Sequence, residues 1–206
     1  MERAVLKCNA KVQLNGKWGL AIVTLLVGMI IISGGSNLII FIEPEGGVIT
    51  NIGQIISILF GGVITLGICK FVLNIATSKE EPKFEDLFFG FNIYLKTLGL
   101  WIVMWLCIGI AAIFLLVPGI IIALMFSQAF FILSEDNKKS ITECLKESVE
   151  IMKGYKVELF VLGLSFIGWW IIVIITFGIG ILFVYPYQQV TFANFYLALK
   201  NRQAKG

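Results

Sequence analysis

The chain has 206 residues and a net charge of +3, with 58% hydrophobic and 14% charged residues and a mean hydropathy of +0.94. Soluble domains are about half apolar and about a quarter charged, so the composition excludes a water-soluble monomer. Histidine is absent, which excludes a Cys2His2 zinc site, a Ser-His-Asp triad and haem held by histidine. At roughly 20 residues per span, the length suits one membrane domain, residues 1–206, of about six helices.

The N-terminal segment predicts a surface helix followed by a first hairpin of two membrane spans. Ala4, Cys8 and Val12 recur at helical spacing beside basic residues, which is the pattern of an amphipathic helix lying on a membrane. Trp18 then opens an apolar run at the level where indole rings meet lipid headgroups. We expect the first hairpin to cover residues 18–76, with a loop of turn-forming residues at 43–47.

Residues 84–91 contain aromatic and leucine side chains at helical spacing and predict a second interfacial helix. A second hairpin follows over residues 97–133. Its sharp turn is expected at Val117-Pro118-Gly119, where proline suits the first turn of the next helix.

Ser140 and Glu143 form an S-x-x-E capping box, which predicts the start of a third amphipathic helix. The apolar stripe expected to face the membrane is Ile141, Leu145, Val149 and Met152. A third hairpin is expected over residues 158–199, with its turn at 177–180, where two glycines occur in four residues. Pro186 predicts a kink in the returning helix.

The sixteen Lys and Arg residues lie before residue 18, at 70–96, at 138–156 or after 199. The positive-inside rule then predicts a multi-pass protein of the cell membrane with both termini in the cytoplasm. A repeat is also visible, because Gly90, Trp105, Ala129 and Phe131 recur 64 positions later as Gly154, Trp169, Ala193 and Phe195. We therefore predict an all-α polytopic membrane protein with six transmembrane helices arranged as three hairpin repeats, each preceded by an interfacial amphipathic helix.

Several motifs resemble one family when taken in chain order. They are Gly16-Lys17-Trp18-Gly19, Val117-Pro118-Gly119-Ile120, Met152-Lys153-Gly154-Tyr155-Lys156, Thr176-Phe177-Gly178-Ile179-Gly180 and Tyr185-Pro186-Tyr187. Together they resemble Domain of Unknown Function 975, a family of bacterial integral membrane proteins. The resemblance implies a polytopic membrane fold and brings no activity to any residue.

The function expected first is that of a non-enzymatic scaffold or accessory subunit in export, envelope or peptide-toxin resistance. The alternative is a small transporter or a lipid- or amphiphile-handling protein, because amides and hydroxyls at membrane depth mark pathways or interhelical hydrogen bonds. The candidate polar cavity for that alternative comprises Asn37, Gln54, Ser127, Gln128, Gln188, Gln189 and Asn194.

No catalytic, cofactor or metal site is expected. The cysteines (Cys8, Cys69, Cys107 and Cys144) show no paired spacing and are expected to be small buried hydrophobes. An intramembrane enzyme is a third hypothesis, with little support because both aspartates are interfacial. The partners expected are anionic lipid headgroups at the cytoplasmic face and another membrane protein, with no nucleic acid.

Overall fold

The computed structural model describes residues 2–33, 48–78, 80–114 and 116–203, and the side chains of 48–54, 114 and 116 fall outside that description. These residues are helical, and no strand occurs among them. The elements are α1 (Arg3–Gln13), α2 (Trp18–Ile32), α3 (Val48–Thr77), a 3-10 segment (Phe84–Ile93), α4 (Tyr94–Phe114), α5 (Leu116–Phe126), α6 (Ala129–Glu135), α7 (Ile141–Ile151), α8 (Lys156–Leu164), α9 (Ile167–Ile175) and α10 (Ile181–Gln203).

Four stretches of the described chain are long and apolar enough to cross a bilayer. They are Ile55–Thr77, Phe84–Ile113, Val117–Glu135 and Lys156–Ile175. The pair α1 and α2 makes a fifth candidate if counted as one span, although it bends by 104°. Helix α10 is not among them, because polar side chains such as Gln188, Gln189 and Asn194 lower its hydropathy. The described chain is therefore all-helical with four candidate spans.

Helix α1 packs on the protein through a stripe that is separate from the one predicted to face the membrane. Leu6 and Ala10 are buried, and Leu14 just beyond the helix is fully buried, whereas Ala4, Cys8 and Val12 are exposed. The helix has apolar residues on more than one side, so periodicity alone did not show which side meets the bundle. Cys8 is consequently an exposed thiol and not the buried hydrophobe expected.

The second interfacial segment is a 3-10 helix that continues directly into α4 and packs on α3. A Cβ added to Gly67 would lie 1.9 Å from the carbonyl oxygen of Leu87, so the two backbones touch where glycine has no side chain. Gly90 approaches the Val63 carbonyl in the same way. Close backbone contact therefore fixes this segment against the bundle, and Leu87 is fully buried there.

Helix α7 begins at the predicted capping box. Ser140 Oγ accepts from the Glu143 N–H at 3.3 Å, and the Ser140 N–H donates to Glu143 Oε2 at 2.7 Å. As on α1, the face that packs on the protein is not the stripe predicted to face the membrane, except at Met152. Its buried residues are Cys144, Ser148 and Ile151, followed by Met152, whereas Leu145 and Val149 are only half-buried.

The turn of the third hairpin lies where two glycines predict it. Phe177 has φ +51° and Gly178 has φ +92°, and the Phe177 side chain is 98% exposed at the tip. The chain returns as α10, which runs through Pro186 as one helix. The space beside Pro186 is about 10 Å³, too small and too apolar to hold ordered water.

Candidate functional site

Polar side chains form hydrogen bonds with the backbone at the break between α5 and α6. Ser148 of α7 donates from Oγ to the Met125 carbonyl at 2.7 Å and accepts from the Gln128 N–H at 3.2 Å. Ser127 Oγ donates to the Leu124 carbonyl at 2.7 Å. These bonds satisfy backbone groups that an uninterrupted helix would pair internally.

A cleft of about 370 Å³ lies between this break and α8. It is lined by Leu124, Ser127, Gln128, Phe131, Leu159, Phe160, Gly163, Leu164 and Phe192. Two of the lining side chains are polar, and the rest are apolar or glycine. The volume is at the small end of ligand sites, which span about 300–1,000 Å³.

Gln128 is the buried polar residue of this cleft, with an exposed fraction of 2%. Its Nε2 donates to Ser127 Oγ at 2.8 Å. Its Oε1 has no hydrogen-bond partner within the described part of the chain. Gln128 therefore has one unsatisfied amide oxygen beside the cleft, and a buried acceptor left unpaired costs about 1–3 kcal/mol.

A second depression, of about 700 Å³, lies between the end of α5, helix α7 and the start of α8. Its lining residues are Phe126, Thr142, Leu145, Lys146, Val149, Glu150, Lys153 and Lys156. Three lysines face one glutamate there, which makes the depression basic. We refer to it below as the lysine depression.

Two charged groups of the interfacial helices have shifted pKa values. Burial, aided by the nearby charge of Arg3, lowers the pKa of Lys7. Lys7 Nζ donates to the Ser165 carbonyl at 2.9 Å and lies 4.2 Å from the ring centre of Phe166. Hydrogen bonds from the Ser140 backbone and side chain lower the pKa of Glu143.

The predicted polar residues that the structure describes lie in four separate places. Ser127 and Gln128 share the cleft, and Gln188 Oε1 accepts from Trp170 Nε1 at 3.2 Å. Asn194 pairs with Gln13 of α1. Gln189 is half-buried on α10. Asn37 and the side chain of Gln54 lie outside the described residues.

Sequence reasoning missed the polar contacts that join α10 to α6 and those that join the interfacial helices to the bundle. Tyr196 donates to Glu135 Oε2 at 2.6 Å, and Lys200 donates to the same carboxylate oxygen. Gln13 and Lys7 of α1 and Ser148 of α7 join the interfacial helices to the bundle. Their sequence signal is weak because each is a single polar residue on a helix whose pattern reads as amphipathic.

The described residues contain no group of three or more Cys, Asp or Glu placed to hold a metal ion. A family model with the description "Protein of unknown function (DUF975)" matches residues 1–118 and 99–203. The chain belongs to this family. The match spans nearly all of the sequence and confirms the resemblance of its turn and hairpin motifs. No curated protein and no solved structure matches the chain.

Proposed function

We propose that this DUF975 protein is a non-enzymatic, multi-pass protein of the cell membrane that acts as a scaffold or accessory subunit for another membrane protein. In the membrane it has six spans in three hairpins, with α1 and α7 at the cytoplasmic surface and both termini in the cytoplasm. The first and sixth spans begin at Trp18 and Ile181.

Two observations support this topology. Basic residues are absent from the sequence of the three outer turns and abundant at the opposite ends of the hairpins. The backbone also turns in the same way before the first and third hairpins, at Gly16 with φ +78° and Gly154 with φ +85°. Each glycine separates an amphipathic helix from an apolar one.

The observation that carries the scaffold proposal is the fixed attachment of the interfacial helices to the bundle. Gln13, Lys7 and Ser148 each bond to a different part of the membrane helices. The surface they present is therefore tied to the bundle by hydrogen bonds, which suits docking. Along the hairpins, apolar side chains such as Trp105 and Ile174 are 62% and 76% exposed.

Site-specific photo-crosslinking in native membranes tests the proposal. A photoreactive residue at Trp105 or Ile174 should give one protein adduct of defined mass, whereas the same residue at the fully buried Ala21 should give none. Adducts with lipid alone at both exposed positions would contradict a scaffold function.

A second candidate function, the handling of a lipid or amphiphile, is favoured by the cleft beside Gln128. Its test is a lipid-flipping assay in liposomes that contain the purified protein. If the protein accelerates lipid flipping and a variant with a filled cleft does not, the result would support this function. If the protein does not accelerate flipping, lipid flipping is excluded.

A further inference from the structure

The cleft and the lysine depression follow one another along the same two elements. Phe126 lines the depression, and the next residue, Ser127, lines the cleft. On α8, Lys156 lines the depression, and Phe160 and Leu164 line the cleft. These three residues have i, i+4, i+8 spacing, so they lie one below another on a single helix face.

Within the described part of the chain, the positive charge of the lysine depression is not neutralised by ion pairs. Lys146, Lys153 and Lys156 form none of the ion pairs found among the described residues. Glu150 is the acidic residue of the same lining. The lysine depression thus has an excess of positive charge and lies next to an apolar cleft.

We propose that this continuous groove binds one anionic phospholipid, with the phosphate at the lysine depression and one acyl chain in the cleft. A phospholipid joins a negative group to a hydrocarbon chain in the same order in which the groove joins lysines to apolar side chains. A soluble anion would leave the cleft unfilled, and an apolar helix would leave the lysines unpaired. The site is independent of the scaffold function and adds to it a bound lipid.

Gly163 allows the cleft to be filled without disturbing the protein. A Cβ built on this residue meets no atom within 4 Å, although the residue lines the cleft. Gly163→Leu should therefore fold and occupy the space of the acyl chain, and Gly163→Ala should have a smaller effect. Gly168 also has open space around its Cβ and is not among the lining residues, so Gly168→Leu is the matched control.

The experiment is native mass spectrometry of the full chain titrated with phosphatidylglycerol or phosphatidylcholine. The wild type should retain one phosphatidylglycerol in preference to phosphatidylcholine, and Gly163→Leu should lose that retention while Gly168→Leu keeps it. The double variant Lys153→Gln, Lys156→Gln should bind phosphatidylglycerol about thirtyfold more weakly, because each surface lysine usually contributes about 1 kcal/mol to the binding of anionic lipid. The exposed Lys138→Gln should leave it unchanged.

Three results of the lipid titration would overturn the proposal. The first is equal retention of both lipids by the wild type, and the second is undiminished phosphatidylglycerol on a folded Gly163→Leu protein. The third is a dimer mass that the same variant abolishes, which would assign the groove to a second copy of the chain. Inorganic phosphate alone should not raise the melting temperature. If inorganic phosphate raises the melting temperature as much as phosphatidylglycerol does, the groove is an anion site that binds no acyl chain.

Discussion

Gln13 of α1 and Asn194 of α10 exchange two hydrogen bonds through their side-chain amides. Asn194 Nδ2 donates to Gln13 Oε1 at 2.7 Å, and Gln13 Nε2 donates to Asn194 Oδ1 at 3.2 Å. Gln13 Nε2 also donates to the Ala76 carbonyl at 2.9 Å, in the last turn of α3, where helix carbonyls lack internal partners. One side chain thus joins three helices.

Replacing Asn194 by leucine should destabilise the protein by about 1–3 kcal/mol, because Oε1 of the half-buried Gln13 side chain loses the donor Asn194 Nδ2. Thermal unfolding in detergent measures the effect, with the exposed Asn201→Leu on the same helix as the control. Gln13→Leu combined with Asn194→Leu should cost less than the two single changes added together. Strict additivity would show that the two amides act independently.

Gly67→Ala should destabilise the protein by about 1–3 kcal/mol or more, because the new methyl group would overlap the Leu87 backbone and displace the 3-10 segment. Gly109→Ala is the matched control. It lies in α4 with no atom within 4 Å of its Cβ, so it should be neutral or gain up to about 1 kcal/mol of helix propensity. Equal melting temperatures for both variants would contradict the close backbone contact.

The features that sequence predicted well depend on local chemistry. The capping box at Ser140 and the turn at Gly178 are set by neighbouring residues, and the structure contains both. The sixth span, by contrast, stays a prediction, because the amides of α10 lower its hydropathy and the helix is not among the four candidate spans. Those amides pair with Trp170 and Gln13, residues distant in sequence.

The orientation of the amphipathic helices could not be predicted in the same way. In a membrane protein, apolar residues face both lipid and protein, so periodicity finds an apolar stripe without showing what it contacts. On α7 the packed face includes Cys144 and Ser148, which read as neutral in sequence. Ser127 and Gln128 belong to the predicted polar cavity, but the apolar lining of their cleft depends on how two hairpins separate and was not predicted.

The topology makes a direct prediction. A reporter fused after Gly206 should behave as cytoplasmic, and one inserted at Glu45 should behave as external, because the lysines and arginines lie at the ends opposite the outer turns. Paired alkaline phosphatase and fluorescent protein fusions measure both positions. An external C-terminus would refute the proposed orientation, and opposite sides for the two termini would refute six spans.

The start of α7 should weaken in acid. Hydrogen bonds to Ser140 lower the pKa of Glu143 in the folded protein. The contribution of its carboxylate to stability is therefore complete above the unfolded pKa of about 4.3, and it is lost as the pH falls through the lower folded pKa. Glu143→Gln retains an acceptor without a charge. The wild type should therefore melt higher than Glu143→Gln at pH 6, and the difference should shrink toward pH 3. A difference that is constant over this range would contradict the role of the carboxylate.

The anchor of α7 should be Ser148, not the half-buried Leu145 and Val149. Ser148→Ala removes the donor to the Met125 carbonyl and the acceptor for the Gln128 N–H, and both backbone groups are then left unpaired at the break between α5 and α6. We expect a loss of about 1–3 kcal/mol, with new protease cleavage within α7.

Ser134→Ala provides the comparison for this change. Ser134 is also buried, but its hydroxyl donates only to the Phe131 carbonyl within its own helix, so its removal should cost less than about 1 kcal/mol. Thermal unfolding and limited proteolysis of the two variants side by side separate the roles. If Ser148→Ala melts no lower than Ser134→Ala and α7 stays protected, the apolar contacts of Cys144 and Ile151 suffice to hold the helix.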